Sequence, residues 1–116
     1  MIKELTAAEQ LEEILQTSKQ RPVLLFKHST SCLTSASAWR EFQRFAEAES
    51  RPEYWRLLVI ERRALARLVA QQTAVRHESP QTLLLYNGKT IWHESHRRIS
   101  FKALQKSLEM IPSAIA

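Results

Sequence analysis

One cysteine and one glycine in 116 residues rule out several chemistries at once. A lone thiol, Cys32, closes no internal disulfide and cannot supply a site built from several thiolates. A lone glycine, Gly88, leaves no Gly-rich phosphate loop and no dinucleotide fingerprint. No apolar run approaches the roughly 20 residues that cross a bilayer. The polar, amphipathic N-terminal stretch lacks the pattern of a secretory leader. A reducing, cytoplasmic setting without a membrane partner is the expectation. The net charge of +5 is moderate and scattered. Its densest groups, Arg62-Arg63 with Arg67 and Arg97-Arg98, read as solvated surface, so no nucleic-acid partner is expected.

What is present is enough apolar residue, 44%, for a core, in a length that suits one domain over residues 1–116. Residues 6–18 read as a helix, opened by a capping box in Thr6-Ala7-Ala8-Glu9, with Ala8, Leu11, Ile14 and Leu15 inward. Val23 to Phe26 is a short apolar strand of the kind buried on both faces. Ala38, Trp39, Phe42, Phe45 and Ala46 form the stripe of a helix over Leu33 to Ala48. Trp55 to Ile60 is a second strand, and 63–73 a helix with Leu65, Leu68 and Val69 inward. Thr82 to Tyr86 and Lys89 to His93 are strands around Asn87-Gly88, the strongest short hairpin signal available. A helix near 101–111 follows, with Ser100 as N-cap and Ile99 stapled onto Leu104. Crossovers of βαβ type should join the first three strands, and a hairpin the last two. The expected fold is α/β, with a mixed four-stranded sheet flanked by helices and one extra helix at the N-terminus.

Cys32 stands where the first strand gives way to a helix. Backbone N–H groups there favour an anion, so the thiol is more readily a thiolate, the nucleophile of disulfide exchange. A buried, inert cysteine is the plain alternative. Ser35, three residues on, either hydrogen-bonds the thiolate or is a helix-surface serine. His28, four residues before Cys32, either activates the thiol or packs at a strand end. His93 and His96 could join Cys32 and His28 around a metal or shape the neighbouring surface. Pro80 is either a cis residue or an ordinary loop proline.

The element order is that of the thioredoxin fold with an added N-terminal helix. Cys32-Leu33-Thr34-Ser35 looks like a C-x-x-S version of its dithiol motif, and Ser79-Pro80 looks like its cis-proline. Three phrases narrow the likeness. They are Phe26-Lys27-His28-Ser29-Thr30, Val75-Arg76-His77-Glu78-Ser79-Pro80-Gln81, and Asn87-Gly88-Lys89 with Trp92-His93-Glu94-Ser95-His96. Together they resemble the monothiol bacilliredoxins, or YtxJ-like family, across nearly the whole chain. Leu33 departs from the proline that the resemblance leads one to expect after the cysteine.

The resemblance implies a thiol–disulfide oxidoreductase that removes bacillithiol from mixed disulfides with protein cysteines. Cys32 would be the catalytic nucleophile, with Ser35, Thr30 and His28 in support. Ser79, Pro80, Lys27, His96 and Arg97 would meet substrate. The Ser79 backbone would pair with an extended segment, and Lys27 and the Arg97-Arg98 pair would meet carboxylates of bacillithiol. No bound cofactor or metal is expected; bacillithiol is a substrate, and bacillithiolated proteins are the partners. Two other readings remain: a non-catalytic module offering the Ser79-Pro80 groove, and a metal or redox sensor using Cys32 with nearby histidines. Nothing in the sequence speaks to oligomeric state.

Overall fold

Strands and helices alternate along the chain in the structure, a computed structural model that describes residues 1–112. Strand β1 is Ile2–Glu4, β2 is Val23–His28, β3 is Glu53–Leu58, β4 is Gln81–Tyr86 and β5 is Lys89–Ser95. Helix α1 is Ala8–Thr17, α2 is Leu33–Ala48, α3 is Arg63–Thr73 and α4 is Phe101–Ser107. Short 3-10 turns cover His96–Arg98 and Leu108–Met110. The strands form one sheet in the order β1-β3-β2-β4-β5. Strands β1, β3 and β2 are mutually parallel, β4 runs antiparallel to β2, and β5 antiparallel to β4.

The sheet therefore has five strands where four were expected. Strand β1 is only three residues long, too short for a period-two pattern to register. A second difference is larger in consequence. The connection from β3 through α3 to β4 is not of the parallel βαβ type, because β4 runs antiparallel to β2. The segment 74–80 carries the chain back so that Gln81, which opens β4, lies opposite Lys27 near the end of β2. That return brings the Ser79-Pro80 segment to the same end of the sheet as Cys32.

Every residue of β2 and β4 is buried, as expected for central strands covered on both faces. One face packs Leu25, Leu57 and Leu83 against Leu11 and Ile14 of α1 and Val69 of α3. The other packs Leu24, Phe26 and Leu84 against Phe42 and Phe45 of α2 and Leu104 of α4. Local details depart from the sequence reading in small ways. Ala7, not Thr6, is the N-cap of α1, and the Gln10 side chain accepts from Thr6 N at 2.7 Å and Ala7 N at 3.1 Å. Ala8 is exposed rather than inward. Trp39 is half-buried, its ring lying against Phe26, His28 and Phe42. Helix α4 ends at Ser107 and tightens into the 3-10 turn. Ser100 caps it, accepting from Ala103 N at 3.1 Å, and Ile99 shares its buried cluster with Leu104.

The hairpin turn has φ of 56° at Asn87 and 80° at Gly88, the left-handed pair that Asn-Gly supplies cheaply. It is also fastened from outside. Asn87 N donates to Ser18 O at 2.6 Å, and Gly88 N to Ser18 Oγ at 2.9 Å. The end of α1 thus holds the hairpin's register.

Candidate active site

Cys32 is the N-cap of the 16-residue helix α2, with extended backbone at φ −118° and ψ 126°. It is partly exposed and free. Its thiol is held below the ordinary cysteine value, first by the Ser35 backbone N–H. The Thr34 backbone N–H and hydroxyl add to this, and partial burial opposes them. These are groups of the first helical turn, whose N–H donors have no partner within the helix. A negative sulfur satisfies them, so the helix start favours the reactive form.

Ser35 occupies a different role from the one its spacing suggests. Its side chain is fully buried. The hydroxyl accepts from Ser29 N at 2.9 Å and shares a 2.9 Å hydrogen bond with His28 Nδ1. It is the Ser35 backbone, not the hydroxyl, that faces the thiol. The side chain instead ties the end of β2 to the start of α2, and so fixes the loop that carries Cys32.

His28 is enclosed too, with its ring packed against Phe26 and Trp39 at centroid distances of 5.6 and 5.4 Å. Burial first, then the Arg56 guanidinium, keeps its imidazole below the ordinary value, so it is neutral at pH 7. It supports the loop through Ser35. Thr30 is exposed and makes no side-chain hydrogen bond among the described residues.

Lys27 overturns an expectation. It is wholly buried, and its Nζ donates to Gln81 Oε1 at 2.8 Å. Burial lowers its pKa to about 8. A side chain so placed does not reach a carboxylate of an external substrate.

The Ser79–Pro80 peptide is cis. His96 N donates to Pro80 O at 2.9 Å, and His96 Nε2 meets Glu78 Oε1 at 2.6 Å. His96 reaches both with a left-handed backbone, φ 59°, which is costly for a residue with a Cβ. The turn after β5 is thereby strapped across the proline segment. Beside it opens a cleft of about 850 Å³ lined by Thr34, Glu78, His93, Ser95, His96 and Arg97, among others. A smaller cleft of about 310 Å³ lies between Leu33, Thr34, Ser37, His96 and Arg97. Thr34, next but one to the thiol, and Arg97 wall both. Arg97 and Arg98 are exposed, and neither has a carboxylate partner among the described residues. No group of three His, Cys, Asp or Glu side chains converges as a metal site among the described residues.

Two contributors escaped the sequence reading. Thr34 acts on the thiol from within the C-x-x-S motif. Gln81 is the partner of Lys27, and the signal for it was available. Lys27 and Gln81 are buried polar residues at adjoining ends of two largely apolar strands, and such residues inside a sheet need hydrogen-bond partners.

A thiol poised at a helix start, a cis-proline segment at the same end of the sheet and this strand order define a thioredoxin-fold protein of the thiol oxidoreductase kind. A family model described as monothiol bacilliredoxin BrxC matches residues 3–104. The chain belongs to the monothiol bacilliredoxin family. Among solved structures, it is similar to a protein assigned as an oxidoreductase with a thioredoxin fold. That match has 30% identity and a TM-score of 0.84, and covers 92% of this chain and 93% of the other. It also superposes on thioredoxin (Mala s 13) of Malassezia sympodialis at 16% identity and TM-score 0.74, covering 94% and 89% of the two chains. Spinach chloroplast thioredoxin f matches at 14% identity and TM-score 0.74, covering 93% and 84%. The last two likenesses speak for the fold alone.

Proposed function

We propose that the protein removes bacillithiol from mixed disulfides with protein cysteines, using Cys32 as its only nucleophile. The observation that carries this reading is the helix-start thiol, favoured as thiolate, with no second thiol in the chain. The Cys32 thiolate attacks the bacillithiol sulfur of a protein–bacillithiol disulfide. The S–S bond breaks, and the protein sulfur leaves with the electron pair and takes a proton from solvent. Bacillithiol stays on Cys32. At the position where a resolving thiol would stand, the Ser35 hydroxyl is buried and engaged with Ser29 and His28. A second bacillithiol thiolate from solution must therefore attack the bound bacillithiol sulfur. That step releases the Cys32 thiolate and bacillithiol disulfide, so electrons balance across the cycle.

The two clefts give the small thiol a place beside Cys32. Arg97 and Arg98, which have no carboxylate partner among the described residues, offer their guanidiniums to its carboxylates. The Ser79 backbone receives the protein chain as an added strand. The setting is the cytoplasm, where target cysteines are kept reduced and no cofactor is needed beyond the thiol pool. Intact-mass spectrometry after exposure to oxidised bacillithiol tests the reading. One bacillithiol adduct on Cys32, released by excess bacillithiol, is the expected result. Absence of the adduct while a general thiol reagent still labels Cys32 overturns it.

A further inference from the structure

Lys27 is the one lysine, arginine, aspartate or glutamate that is buried among the described residues. Its ammonium meets only a neutral acceptor, Gln81 Oε1 at 2.8 Å. No carboxylate of the described residues lies within ion-pair distance of it. An enclosed charge in such company is a poor way to build a core, and an apolar residue would serve stability better. Its use lies in what Gln81 does next. With Oε1 held by the ammonium, the Gln81 amide nitrogen must face the other way. It donates to Arg76 O at 3.0 Å and to Ser95 Oγ at 3.3 Å. Turning the amide over would point N–H groups at an ammonium, so the charge selects one of two otherwise similar orientations. Arg76 begins the run to Ser79-Pro80. Ser95 precedes His96, whose N–H holds Pro80 O. Both sides of the proline segment are thus tied to β2 through one side-chain amide.

We propose that Lys27 is a positioning residue for protein substrates: by orienting Gln81 it holds segment 76–80 and the turn at Ser95-His96 in the register that presents the Ser79 backbone to an extended polypeptide beside Cys32. The proposal rests on the oxidoreductase reading and names the substrate class that this edge serves. A small disulfide needs the thiol and the Arg97 clefts. A protein disulfide needs the backbone edge as well, and is the one that loses when the edge is loosened. Lys27 does not touch the thiol.

The test compares wild type with K27M and Q81M on two bacillithiol disulfides. One is carried on an unfolded protein with a single cysteine, and the other on nitrothiobenzoate. The ratio of kcat/KM for protein over small disulfide is expected to fall about tenfold in both variants, through a higher KM for the protein. K27M should melt no lower than wild type. Equal slowing on both disulfides, or a wild-type ratio in K27M, overturns the proposal. Amide exchange at residues 76–81 of the free protein provides a readout independent of turnover. It should accelerate in K27M relative to α2, and unchanged protection overturns the proposal even if wild type acts on neither substrate. Failure of wild type itself to turn over either disulfide instead counts against the oxidoreductase reading.

Discussion

Replacing Lys27 by methionine is expected to stabilise the protein at neutral pH, and the size of the gain follows from the amine's position. Burial lowers the Lys27 pKa from 10.5 to about 8, with Glu78 nearby pulling it partway back. That gap corresponds to about 3 kcal/mol as an upper figure. The sign is set by proton counting. Between pH 8 and 10.5 the unfolded chain keeps the Lys27 proton that the folded chain has lost. Stability therefore rises with pH across that window and is flat below it. At pH 7 the folded protein carries the full penalty of an enclosed ammonium. Methionine removes the penalty but leaves Gln81 Oε1 without its donor, at a cost of about 1–2 kcal/mol. The net expectation for K27M is a gain of about 1–2 kcal/mol at pH 7. The gain should shrink as pH rises from 8 to 10, because wild type recovers what the variant never lost. Urea unfolding at pH 7, 8, 9 and 10 measures both quantities, and taking the difference between the two proteins cancels their shared titrations. The His77 imidazole, which feels the Lys27 charge, is held down first by burial and then by that charge, so it does not gain a proton across this range. A loss of stability at pH 7, or a difference that stays constant from pH 8 to 10, would refute the reasoning.

Four further expectations follow from the site. Ser35→Ala takes the acceptor from the half-buried Ser29 N–H and removes the partner of buried His28, so it should cost about 1–3 kcal/mol in denaturant unfolding. The same variant should leave the pH dependence of Cys32 alkylation in place, since the Ser35 backbone N–H that favours the thiolate is retained. Thr34→Ala removes a hydroxyl that favours the thiolate, so the alkylation profile should move to higher pH, measured as iodoacetamide rate against pH. Arg97→Ala should raise KM for a bacillithiol disulfide by about three- to tenfold, and the difference from wild type should shrink in high salt.

The hairpin and the cysteine loop illustrate how much was legible from residues alone. Asn87-Gly88 announced its turn because both positions need positive φ, a local demand met by few residues. Helix α2 was expected at about Leu33 to Ala48, where it lies, because its apolar stripe is long and regular. The roles of Ser35 and Lys27 were not, since spacing says which residues are near one another but not where their side chains point. Ser35 shares the turn with Cys32, yet its hydroxyl faces inward to Ser29 and His28. Lys27 neighbours the loop in sequence, yet it sits on an inward position of β2.

Taken by itself, the sequence determined the types of helices α1 to α4 and strands β2 to β5, the central place of β2, and a single thiol at a helix start. Those properties rest on periodicity, composition and capping, all of which act over a few residues. Tertiary structure alone decided that β4 returns antiparallel beside β2, that Gln81 meets Lys27, and that the His96 turn is strapped over Pro80. These depend on which surfaces pack and on which buried polar groups must find partners across long stretches of chain. Such partners are selected by the enclosed space, where an unpaired donor is costly, and not by neighbours in sequence.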